Sequence, residues 1–127
     1  MRVVHTDQAP APGGHYSQAV IHDGWIFVSG QLPIDPVKGP VRGDVDVQTG
    51  QVLQNILSIV EAAGGSKSQI VKITVYVSDI SLWDRVNTVY GRFFENHRPA
   101  RSVVPVCPLH YGFQVEMDAV AFLTEQE

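Results

Sequence analysis

Two side chains in this chain of 127 residues have the chemistry to hold and convert a small carboxylate. Arg101, in Ala100-Arg101-Ser102, follows the helix-terminating Pro99 and precedes Val103–Cys107, a run that reads as a short strand. A guanidinium at a strand entrance can grip a carboxylate through two parallel N–H donors. On the pattern alone, an ordinary surface arginine is the simpler reading. Glu116 stands in the alternating run Phe113–Phe122, on a face it shares with Gln114 and Asp118. A carboxylate there is either paired or poised as a base.

Other candidates for chemistry are weaker. Ser29 ends a strand-like run before Gly30 but lacks a G-x-S-x-G elbow, and Cys107 has no adjacent base. Structural roles account for both more readily than nucleophilic ones. The five histidines, His5, His15, His22, His97 and His110, show no i,i+3 or i,i+4 pairing, and there is no Cys-x-x-Cys, so no metal site is expected. Gly30 is followed by Gln31-Leu32-Pro33 with no helix start behind it, so no phosphate cradle or nucleotide cofactor is expected.

These residues need elements to position them. Tyr16–His22 and Trp25–Ser29 flank Asp23-Gly24, the pattern of a hairpin on a type I′ turn. Residues 1–14 read as a lead-in, in which Ala9–Gly14 cannot hold regular structure. Pro33 to Gly43 reads as a loop. Asp44 caps a helix to about Ala63, closed by Gly64-Gly65, with Leu53, Ile56, Leu57 and Val60 on one stripe. Gly50 inside this helix suggests a close packing contact. Val71, Ile73, Val75 and Val77 alternate with polar residues in a two-faced strand. Ser81, with Asp84 in the capping-box position, starts a second helix whose stripe is Leu82, Val86, Val89, Tyr90 and Phe93. Pro105 requires its strand to be an edge or to lose a ladder bond. The order β-β-α-β-α-β-β predicts an α+β fold, one mixed sheet with two helices on one face. The other face, with Thr74, Tyr76, Gln114, Glu116, Val120 and Phe122, is neither a solvent face nor a dry core. Self-association, or a wet cavity between subunits, would cover it.

Composition narrows the class. The length supports a single domain, 1–127. A net charge of −4 lacks the basic footprint of a nucleic-acid binder. No apolar run approaches the roughly 18 residues of a membrane span. One cysteine rules out an intrachain disulfide, and the N-terminus lacks the apolar stretch of a signal peptide, so a cytoplasmic protein is expected.

Several segments together resemble the RidA family, also called YjgF. They are Tyr16-Ser17-Gln18-Ala19-Val20, Val28-Ser29-Gly30-Gln31-Leu32-Pro33, Asn55-Ile56 and Val60-Glu61-Ala62-Ala63-Gly64. Val71–Val77 with Asp79, Val86–Tyr90 with Phe93-Phe94, Pro99-Ala100-Arg101-Ser102 and Val115–Ala121 follow in collinear order. The resemblance implies a chorismate-mutase-like fold and a homotrimer, its sheets packed into a central barrel with sites between subunits. It implies cofactor-free hydrolysis of reactive enamines and imines, such as 2-aminoacrylate, to 2-oxo acids and ammonia. Arg101 falls where the family's arginine grips the substrate carboxylate, and Glu116 where its glutamate positions water. Tyr16, Ser29 and Asn87 fall on residues that line or order the cleft, and Gly30 and Val103 on positions that contribute backbone groups. Three positions depart from the family pattern. Val103 stands where many members carry cysteine, Gly14-His15-Tyr16 replaces Gly-Pro-Tyr, and the loop Pro108–Gly112 lacks the common Leu-Pro-Lys. His15, His110 and Tyr111 could thereby reshape the pocket. A deaminase of an aromatic-degradation intermediate such as an aminomuconate, a non-catalytic trimeric binder of small carboxylates and a ribonuclease are the alternatives. The acidic charge balance and the lack of a histidine pair weigh against the ribonuclease.

Overall fold

The computed structural model describes residues 1–124. Its main sheet has six strands in the order β1-β2-β3-β8-β6-β7. These are β1 (Arg2–Val4), β2 (Ala19–His22), β3 (Trp25–Gln31), β6 (Ile70–Val77), β7 (Ala100–Pro105) and β8 (Val115–Phe122). All neighbours pair antiparallel except β6 and β7, which run parallel and are joined through α2 (Trp83–Phe94). A small hairpin, β4 (Ile34–Asp35) with β5 (Gly39–Pro40), lies in the stretch read as loop. It precedes α1 (Val45–Ala62).

The β2–β3 turn forms for the reason the sequence gives. Asp23 and Gly24 both have positive φ, at 50° and 85°. Asp44 caps α1, its side chain accepting from the Val47 N–H. Val52, Leu53, Ile56, Ile59 and Val60 of α1 are fully buried against Ile26 of β3, Ile73 and Val75 of β6, and Met117 and Ala121 of β8. α2 adds Val86, Tyr90 and Phe94 to this core. Both helices therefore lie on one face of a mixed sheet, as expected.

Several details differ from the sequence reading. Arg2–Val4 forms an additional edge strand, and Ala9–Gly14 beyond it holds neither helix nor strand. The first run of the hairpin becomes strand only at Ala19. Asp79, not Ser81, caps the second helical segment, accepting from the Ser81 N–H and starting a 3-10 turn, Ile80–Leu82, that leads into α2. A Cβ at Gly50 would touch nothing within 4 Å, so no close contact explains that glycine. β7 starts at Ala100, earlier than expected, because its parallel register with β6 begins at Lys72↔Ala100. Pro105 ends it on the sheet edge, where a missing N–H costs least. Val71 is left out of the inward-facing set. A register shift between Ile70 and Lys72 lets Ile70 and Ile73 both bury completely.

Candidate active site

A cleft of about 890 Å³ opens on the face of the sheet that the helices leave uncovered. Its floor is made where β3, β8 and β6 meet. The β3–β8 register runs Val28↔Ala119 and then Gln31↔Met117, so Ser29 and Gly30 together oppose the single residue Asp118. This bulge re-aims the end of β3. Ser29 is fixed on both sides of its backbone. Its N–H donates to Gln18 O at 2.9 Å, and its Oγ donates to Ser17 O at 2.7 Å.

Gly30 determines where the carboxylate of Glu116 can lie. A Cβ built at Gly30 would collide with Glu116 Oε2. Only a residue without a side chain lets the carboxylate rest on the β3 backbone. Burial in that position raises the Glu116 pKa above the usual carboxylate range. The nearby charge of Asp118 raises it further, and His110 opposes the rise. Tyr76 of β6 pairs with Glu116 across the strands. Its hydroxyl donates to Asp118 Oδ2 at 3.2 Å, and burial followed by the Asp118 charge raises its own pKa.

Buried amides hold the walls. Gln18, 1% exposed, takes the N–H of Thr6 on Oε1 and donates through Nε2 to the carbonyls of Thr6, Ala9 and Pro10. Beyond it Ala11, Gly13, Gly14 and Tyr16 form one wall, and His15 between them is not among the residues that line the cleft. The Tyr16 hydroxyl accepts from the Gly13 N–H at 3.2 Å. Asn55 of α1, fully buried, donates to the carbonyls of Leu32 and Ile34 and fixes the opposite wall. The third wall is the loop Val106–Tyr111. Tyr111 adopts a left-handed conformation with φ 58°, and its carbonyl accepts from Arg42 Nη1. Cys107 is exposed and lines the same cleft.

Arg101 lies elsewhere. Its partner in the parallel register is Ile73, a core residue, so its side chain leaves the sheet toward α2. There its guanidinium lies 4.6 Å from the Trp83 ring centroid and 4.7 Å from that of Tyr90, and Nη1 donates to Asn87 Oδ1 at 2.9 Å. Burial pushes the Tyr90 pKa up to about 12, so the ring beneath the guanidinium stays neutral. The side chain of Val103 packs against the core from the edge strand. Within one chain, then, Tyr16, Ser29, Gly30 and Glu116 share the cleft. Arg101, Asn87 and Val103 form a second group at the β7 edge.

Tyr76 and Asp118 stand on the face of Glu116, as the sequence reading placed them, but without a role there; Gln18 and Asn55 entered only as parts of the family-like segments. Alternation put both Tyr76 and Asp118 on that face; the diagonal bond between them follows from the β6–β8 register. Gln18 and Asn55 act through backbone carbonyls far along the chain, which no local pattern reports. Among the described residues no group of three or more His, Cys, Asp or Glu side chains is arranged to hold a metal ion. No helix among them is long and apolar enough to cross a membrane.

The sequence model of a family described as Endoribonuclease L-PSP matches residues 6–123. A RutC family protein of Pyrococcus abyssi is 44% identical over 121 residues, covering 94% of this chain and 95% of the relative. The 2-iminobutanoate/2-iminopropanoate deaminase of Salmonella typhimurium is 42% identical over 123 residues, covering 94% and 96%. The chain belongs to the RidA family. Among solved structures of this RidA fold, Escherichia coli TdcF with bound serine superimposes with a TM-score of 0.94 at 35% identity, covering 98% of this chain and all of that one.

Proposed function

We propose that this RidA family member is a hydrolase that converts 2-imino and 2-enamino acids, such as 2-aminoacrylate, to 2-oxo acids and ammonia without a cofactor. The observation that carries this reading is the half-buried Glu116 carboxylate, lying against Gly30 with its pKa raised by burial. A carboxyl group that holds its proton more tightly than usual can act both as base and as acid toward water and substrate. The reaction needs this twice. Glu116 takes a proton from water as the oxygen bonds to the imine carbon. It returns that proton to the nitrogen, giving a carbinolamine, and then carries the hydroxyl proton to the same nitrogen as the C–N bond breaks, leaving the 2-oxo acid and ammonia. A carboxylate on the substrate requires a cation, and Arg101 is preoriented for one by Asn87 and two aromatic rings. Because Arg101 and Glu116 lie on opposite sides of one sheet, we assign them to a site shared between copies in a homotrimer. The Arg101, Asn87 and Val103 edge of one copy would complete the Tyr16, Ser29, Gly30 and Glu116 cleft of the next. The bound serine of the TdcF relative, a small amino acid, is consistent with a carboxylate ligand.

The loop Pro108–Gly112 supports a second reading. It brings His110 and Tyr111 to the cleft, with Tyr111 63% exposed, and a flat unsaturated amino acid such as an aminomuconate would find aromatic contacts there. A phosphodiester backbone is disfavoured by the carboxylates of Glu116 and Asp118 in the cleft and by a net charge of −4.

The test is ammonia release from freshly generated 2-aminoacrylate, combined with subunit mixing. Arg101→Ala and Glu116→Gln proteins, each impaired on its own, are dissociated and reassembled together. Random assortment restores about one site in four with both groups intact. No turnover in the parent protein would leave a carboxylate binder. No recovery on mixing would refute the shared site.

A further inference from the structure

Glu116 and Asp118 are two carboxylates on one face of β8, two positions apart, and the structure treats them differently. Glu116 is pressed against the side-chain-free Gly30, and among the described residues no donor reaches it. Asp118 receives the Tyr76 hydroxyl at 3.2 Å. The pairing register explains the geometry: Tyr76 stands directly opposite Glu116, and Thr74 opposite Asp118, so the phenol reaches diagonally past one carboxylate to the other. All three side chains line the same cleft. A donor stabilises the charged form of the carboxylate it binds, and a fixed negative charge makes a neighbouring carboxyl hold its proton more tightly.

We propose that Tyr76 and Asp118 are a positioning pair for Glu116. The phenol fixes the Asp118 carboxylate, so that Glu116 rather than Asp118 carries the proton between water and nitrogen. This inference rests on the role assigned to Glu116 above. Burial and the Asp118 charge both raise the Glu116 pKa, in keeping with it. The other titratable groups around the cleft are His110, Cys107 and Tyr111 from the loop and Tyr16 from the opposite wall. Of these, His110 acts on Glu116 in the opposing sense. β3 presents only Ser29, Gly30 and Gln31, and Lys72 of β6 does not line the cleft.

The experiment follows the Glu116 carboxyl directly. Protein labelled with 13C at glutamate side-chain carboxyls is titrated by NMR, and the Glu116 signal is assigned by its loss in Glu116→Gln. In Asp118→Asn the Glu116 midpoint moves to lower pH. In Tyr76→Phe it moves the same way by less, and adding Tyr76→Phe to Asp118→Asn moves it no further, because the phenol acts through Asp118. Both substitutions keep the shape of the side chain. An unchanged midpoint in Asp118→Asn overturns the proposal. So does a Tyr76→Phe shift that persists in the Asp118→Asn background. Ammonia release, measured on the same proteins, separates the two claims. A parent protein without turnover refutes the deaminase reading and leaves the titration result standing. A flat titration in an active enzyme refutes the positioning pair alone.

Discussion

The cleft around Glu116 and the cluster around Arg101 solve opposite electrostatic problems. Glu116 is half-buried and receives no donor among the described residues, and its burial favours the neutral form. Arg101 keeps part of its surface in solvent and is held by flat contacts with Trp83 and Tyr90 and by one bond to Asn87. The carboxyl is tuned to change its charge, and the guanidinium is oriented to keep it. Proton transfer needs the first environment and anion binding the second. The thickness of the sheet separates the two side chains within one chain, and in the assembly proposed above a second copy would bring them together.

The largest expected effect comes from breaking the Glu116 side. Glu116→Gln keeps size and hydrogen-bonding reach but removes the basic oxygen, and turnover of 2-aminoacrylate should fall by roughly 10²–10⁴. Gly30→Ala should lower turnover by less without touching the carboxylate chemically, since its Cβ would push the flexible end of Glu116 off the β3 backbone. Calorimetric binding of 2-oxobutyrate should barely change in Glu116→Gln. A parallel loss of binding would mean that the two regions do not divide the work.

Breaking the Arg101 side should cost less and act on binding. Arg101→Ala removes a charged hydrogen-bond donor whose contribution is about 1.5–3 kcal/mol, so kcat/KM should fall at least tenfold. Arg101→Lys should recover only part of this, because an ammonium neither forks nor stacks. Full activity in Arg101→Ala would reduce the cluster to surface packing. Asn87→Ala should follow in the same direction with a smaller change, since the two rings still orient the guanidinium.

The smallest effect is on stability, and its sign is opposite. The folded-state pKa of Glu116 is raised, so the folded protein binds more protons than the unfolded chain between the two values. This contribution is fully present below the unfolded carboxyl pKa, about 4.3. It is lost as pH rises through the folded value. Glu116→Gln should therefore melt at the parent temperature near pH 4 and above it near pH 8. A constant difference across that range would show that burial does not penalise the charge.

Much of the fold was legible because local chemistry dictates it. Asp23-Gly24 can form its turn alone, and Asp44 caps α1 with its own side chain. What escaped depends on contacts distant in sequence. The capping of the second helical segment moved to Asp79 because a 3-10 turn precedes α2. β1 exists because Arg2–Val4 finds Ala19–Ile21 as a partner, and the run itself is too short to announce a strand. In the cleft, alternation correctly separated Glu116 from the core-facing residues of β8. It could not reveal that Arg101 points to the helix side, because that follows from its parallel pairing with Ile73. The resemblance supplied Ser29 and Gly30 as positions. Their physical reason, a bulge opposite Asp118 and the space left for Oε2, required coordinates.

Gln18 has a practical consequence for anyone wishing to change what the cleft accepts. It grips the entering chain only through the peptide groups of Thr6, Ala9 and Pro10, and its own carbonyl holds the Ser29 N–H. The anchor is therefore indifferent to the side chains it fastens. Residues Ala11 to Gly14, which follow it along the rim, form an exchangeable cassette for directed evolution. They can be randomised or lengthened by one or two residues while the clamp and the floor of the cleft remain in place.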